Sequence, residues 1–133
     1  MPDWERVSHI SFSARDKDEC AEWFGRVLGF TPLDETEGEG WHAVLLIHVP
    51  SATIIEFQQH DANQGERFDP ARTGFDHLGF KVDDRDDLEV WQAHFERHGV
   101  TYTSAVHRDY GSVLTFKDPD GIQFEMFYRD GHP

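Results

Sequence analysis

Residues 7–14 alternate, with Ile10 and Phe12 on one side and His9, Ser11 and Ser13 on the other, the period of a strand with one buried face. Asp16 or Asp18, with Glu19 nearby, then predicts a helix start. Cys20, Trp23, Phe24, Val27 and Leu28 form one stripe at helical spacing, which Gly29 ends. A short strand is expected over 30–34, then a turn through the acidic ETEGEG. Strands over 41–49 and 52–58 should pair as a hairpin around Pro50 and Ser51. Residues 60–74 are polar and aperiodic, carry Pro70, and predict a linker. Beyond it the order repeats: a strand over 75–82, then a helix from about Asp86 to Arg97 with Leu88, Trp91 and Phe95 inward and a stop at Gly99. Strands over 100–105, 111–117 and 122–128 complete it, the last two joined by a turn at DPDG, Asp118 to Gly121.

The repeat is in the residues as well as the elements. FDHLGFKVDD at 75–84 set under VSHISFSARD at 7–16 places His77 on His9, Phe80 on Phe12 and Asp84 on Asp16, an offset of 68 that also places Trp91 on Trp23. With a shift of a residue or two, LGF at 28–30 answers HGV at 98–100 and Glu56 answers Glu125. Residues 1–133 therefore predict one domain of two βαβββ modules, 5–59 and 75–128, around the linker 60–74. The fold class is α+β.

Composition narrows the partners. Twelve basic residues against 26 acidic ones leave a net charge of −14, which argues against nucleic acid and anionic membranes. The single Cys20 excludes an internal disulfide and suits a reducing, cytoplasmic setting. No apolar run approaches the length of a membrane span, and no signal-peptide pattern opens the chain.

Strand parity picks out the candidate chemistry. His9 and His77 lie opposite the apolar sets of their strands. Glu56 lies between Ile55 and Phe57, and Glu125 between Phe124 and Met126. A mid-strand carboxylate among such neighbours is costly unless paired, metal-bound or solvated. One strand histidine alone is more often solvent-facing than a ligand. Two imidazoles and two carboxylates recurring in matched places point instead to one His2Glu2 site for a divalent ion such as nickel, cobalt, zinc, manganese or iron. The other seven histidines are not repeated. Among them His42 and His48 share a strand face and could line a cavity, as could the aromatic Trp41, Tyr110 and Phe116.

The paired modules, the strand histidine in each, the LGF after the first helix and the closing DPDGIQFEMFY at 118–128 resemble the vicinal oxygen chelate superfamily. That group holds glyoxalase I, methylmalonyl-CoA epimerase, fosfomycin-resistance transferases, extradiol dioxygenases and bleomycin-binding proteins. The resemblance runs from Val7 to Tyr128 and implies that the sheets curve into an open, barrel-like cup within a homodimer. It implies metal ligation by His9, Glu56, His77 and Glu125, a set similar to the glyoxalase I pattern. The expected activity is that of a metal-dependent lyase or isomerase acting on a small oxygenated molecule through an enediolate. Glu125, or else Glu56, would be the general base. Bacterial glyoxalase I commonly carries an arginine for the glutathione carboxylate four residues after its first ligand; Ser13 stands there, so the thiol is left open. The alternatives are a dimeric protein that sequesters an antibiotic or aromatic metabolite and, less favoured because of the fourth ligand, an Fe(II) dioxygenase.

Overall fold

Asp16 and Gly29 bracket the first helix by familiar means. In the computed structural model, which describes residues 1–133, α1 (Lys17–Leu28) begins where Asp16 Oδ1 accepts from the amides of Asp18 and Glu19. It ends where Gly29 takes a left-handed conformation, φ 76°, that costs a glycine nothing. The buried stripe is Cys20, Trp23, Phe24, Val27 and Leu28.

The chain divides into two units, Met1–Glu66 and Arg67–Pro133, each with the order βαβββ. In the first, β1 (Ile10–Ser13), β2 (Thr31–Gly38), β3 (Trp41–His48) and β4 (Thr53–His60) form a sheet in the order β1-β4-β3-β2. The β1–β4 pair is parallel and the others antiparallel. The second unit repeats this with β5 (His77–Lys81), α2 (Asp87–Arg97), β6 (Thr101–Arg108), β7 (Gly111–Lys117) and β8 (Gln123–Tyr128), ordered β5-β8-β7-β6. The β5–β8 pair is again the parallel one. The fold is α+β: two four-stranded mixed sheets, each with a helix packed on one face.

Helix α1 packs on β3 and β4 through Phe24, whose ring centroid lies 4.8 Å from that of Phe57. Phe95 of α2 meets Phe116 at 4.5 Å, and Phe116 in turn stacks on Phe124. Side chains of this size contribute about 1.5–3 kcal/mol each when fully buried. They hold each helix to one face of its own sheet.

Several boundaries differ from the sequence expectation. The second strand runs through most of the acidic stretch assigned to a turn, and the reversal falls at Glu39 and Gly40. All eight residues of β2 are exposed, so no apolar alternation advertises it; backbone pairing to β3 forms it. Pro32, a register shift beside it and three carboxylates mark it as a sheet edge. The hairpin at Pro50 contains a 3-10 turn, Val49–Ser51, and Ala52 has positive φ. Strand β6 runs three residues past its expected end, across a register shift between Thr103 and Val106. Helix α2 has no side-chain cap at Asp86. Asp84, the counterpart of Asp16, accepts from the Asp86 amide instead. Trp91 is half-buried rather than core.

Candidate metal-binding faces

In the second unit, Gly79 of β5 stands directly across from Glu125 of β8, with His77 at the start of the same strand. Leu78 and Phe124 are register partners, and Phe124 is fully buried on the helix-covered face. Alternation therefore turns His77, Gly79 and Glu125 to the other face. His77 Nε2 lies 3.5 Å from Glu125 Oε1, and the Glu125 side chain keeps only 18% of its accessible surface. Asp76 holds the other ring nitrogen, its Oδ1 2.6 Å from His77 Nδ1. This hydrogen bond is the main reason the His77 pKa is raised above its ordinary value; desolvation lowers it, and the Glu125 charge adds to the rise.

The first unit builds a matching face. Ser11 of β1 is the register partner of Glu56 of β4, and its hydroxyl donates to Glu56 Oε1 at 2.6 Å. Ile55 and Phe57 on either side of Glu56 are fully buried toward the helix. His9 precedes β1 by one residue, outside the paired strand, and is exposed; the internal repeat matches it with His77. Its Nδ1 lies 3.1 Å from Ser8 Oγ.

The donor chemistry of the two faces suits a divalent ion. In both histidines the preceding residue, Ser8 or Asp76, engages Nδ1, so Nε2 is the nitrogen left for a metal. In the second unit that nitrogen lies 3.5 Å from a carboxylate oxygen of the half-buried Glu125, and the two can share one ion after a small adjustment. Ser8, Asp76, Ser11 and Gly79 had no place in the expected site. The same 68-residue offset that matched the histidines also matches Ser8 with Asp76 and Ser11 with Gly79, so the signal was available.

The expected pocket residues fare unevenly. Phe116 is corrected outright: it has no exposed surface and lies between Phe95 and Phe124 on the helix-covered face, opposite Thr115, the β7 partner of Glu125. His42 and His48 do share a face of β3, but it is that of Val44 and Leu46, away from Glu56, whose partner is Leu45. His48 packs on Phe30 at 5.5 Å and bonds Ser51, while His42 lies 3.8 Å from Asp61. Trp41 is on the Glu56 side, half-buried, with its indole over Gly38, where an added Cβ would come within 2.5 Å. Tyr110 is exposed at the β6–β7 turn.

This architecture and these faces define a family. The family model described as the Glyoxalase/Bleomycin resistance protein/Dioxygenase superfamily matches residues 6–126, and the chain belongs to that superfamily. It is similar to "Putative ring-cleaving dioxygenase MhqA" of Bacillus subtilis (strain 168), 30% identical over 102 residues, which cover 75% of this chain and 32% of that protein. The chain thus spans roughly a third of MhqA. It is also similar to "Glyoxylase I 4" of Arabidopsis thaliana, 25% identical over 134 residues that cover 96% of this chain and 72% of that protein. Among solved structures, a glyoxylase/bleomycin resistance protein/dioxygenase domain from Frankia sp. EAN1pec superposes with a TM-score of 0.86 at 29% identity, covering 94% of this chain and 98% of that one. No helix of the chain is long and apolar enough to cross a membrane.

Proposed function

We propose that the chain is a divalent-metal-dependent lyase or isomerase of glyoxalase-I type, with His9, Glu56, His77 and Glu125 as its ligand set. The observation that carries this reading is the His77–Glu125 pair on one face of the second sheet, with Asp76 engaging His77 Nδ1; the first unit supplies the matched residues, His9 held at Nδ1 by Ser8 and a half-buried Glu56. A full ligand set takes one pair of each kind, from one chain or from two chains of a homodimer.

When bound, the ion supplies Lewis-acid stabilisation of negative charge on neighbouring substrate oxygens. The chain's own part is proton movement. Glu125 takes a proton from the carbon beside a carbonyl and returns it to the adjacent carbon, which calls for a carboxylate partly shielded from water, as Glu125 is with 18% of its side-chain surface exposed. Asp76 keeps the His77 ring in one orientation throughout.

The test uses small α-hydroxyketones and hemithioacetals made with several thiols, in D2O, with exchange of carbon-bound hydrogen followed by NMR. Metal-loaded wild type exchanges at least one of them. Glu125→Gln keeps the fold and much of the metal but loses a factor of about 10²–10⁴ in exchange. Wild type that exchanges nothing, yet binds bulky aromatic compounds with or without metal, would make the chain a sequestering protein. The likeness to MhqA supports a second reading, oxidative ring cleavage; oxygen uptake with aromatic diols by the iron-loaded protein would select it.

A further inference from the structure

The two modules treat their carboxylates differently at one matched position. Ser11 and Gly79 correspond by the internal repeat, and each stands directly across a parallel strand pair from its module's glutamate. In the first module the Ser11 hydroxyl donates to Glu56 Oε1 at 2.6 Å. In the second there is no side chain to do so. Glu125 leans over Gly79 into the space a side chain would need: a Cβ built there would lie 3.3 Å from Oε1 and 3.4 Å from Cγ.

We infer that Ser11 is a positioning residue that holds Glu56 in one orientation as the fixed carboxylate of the ligand set, while glycine at 79 leaves Glu125 room to turn. The inference rests on the metal-binding reading above. A glutamate on a strand has three free side-chain torsions, and ordering them costs free energy whenever an ion binds. A short hydroxyl-to-carboxylate bond is among the stronger hydrogen bonds, and it removes that freedom before the ion arrives. It uses one lone pair of Oε1 and leaves Oε2 and the remaining lone pair to the metal. A carboxylate that must move a proton has the opposite requirement. It needs at least two orientations of similar energy, and a neighbouring side chain that gripped it would remove one.

Cobalt(II) affinity, measured by chelator competition together with the visible absorption of the bound ion, tests the role of Ser11 without reference to turnover. Removing an outer partner of a ligand typically weakens binding about 10–100-fold, and Ser11→Ala should fall in that range. Ser11→Thr keeps the hydroxyl on a strand-compatible backbone and should bind near the wild-type level with the wild-type spectrum. In Gly79→Ser, Glu125 is displaced by a few tenths of an ångström and meets a hydroxyl. Its cobalt affinity should survive while kcat for exchange falls and KM holds. If Ser11→Ala binds cobalt(II) as wild type does while His77→Ala loses it, the inference fails and the metal reading stands. If wild type itself binds no divalent ion, both fail. A Gly79→Ser protein that exchanges at the wild-type rate overturns the role given to Gly79.

Discussion

A neutral imidazole offers one nitrogen as donor and one as acceptor, and Asp76 decides which is which in His77. Its carboxylate takes Nδ1 at 2.6 Å and so directs Nε2 toward Glu125. In the metal-free protein the same contact stabilises the imidazolium, with Glu125 assisting, and the pKa rises. The sign follows: a raised folded pKa contributes stability below the unfolded value of about 6.5, and that contribution is lost as pH rises through the folded pKa. Asp76→Asn should therefore bring the His77 pKa down, as read from the ring-proton shifts by NMR. The thermal stability gap between metal-free wild type and this variant should be widest just below pH 6.5 and close at alkaline pH. A His77 pKa that does not move in Asp76→Asn would assign the ring orientation to something else.

At the scale of elements, the parallel pairs β1–β4 and β5–β8 are what put catalytic candidates beside one another. They leave Ser11 facing Glu56 and Gly79 facing Glu125, while Phe57 and Phe124, the next residues but of opposite parity, fill the contact with the helix. Phe116 belongs to that contact and not to a ligand face. Phe116→Ala should cost about 3–5 kcal/mol of unfolding free energy, the range for truncating a buried phenylalanine. Urea denaturation would measure it, and the metal affinity of the folded fraction should be unchanged. A loss below about 1 kcal/mol would mean the side chain is not packed as described. Trp41 lies on the Glu56 face over Gly38 and keeps its candidacy for ligand contact.

On the scale of the molecule, each unit carries only half of the proposed ligand set, and each sheet has a face that its own helix does not cover. Leu45 and Ile47 are half-buried on that face in the first unit, and Val113 and Phe127 in the second. A homodimer related by a twofold axis is the expected assembly. Static light scattering at micromolar concentration should give twice the chain mass, whereas a monomer would require the whole ligand set to come from one chain. Edge pairing through β2 is not the expected route. Its exposed row of Asp34, Glu35 and Glu37, with Pro32 at its start, would repel a second copy of itself.

Much of this was legible in the chain because the signals are local. Period-two alternation showed which way Glu56 and Glu125 point relative to their own neighbours, helical spacing showed the stripe from Cys20 to Leu28, and the internal repeat tied the two halves together. None of these reaches across strands. Whether His42 and His48 share a face with Glu56 depends on the register of β3 against β4, set by the tight turn at Val49–Ser51, and the pairing of Leu45 with Glu56 turns them away. Strand β2 has no apolar alternation to betray it, because an exposed edge is held by backbone hydrogen bonds, which carry no side-chain signature. The grip of Ser11 on Glu56 joins residues 45 positions apart. Sequence alone determined what each strand presents; the pairing of strands decided what each presented group meets, because contacts between distant residues arise only when backbones are brought into register.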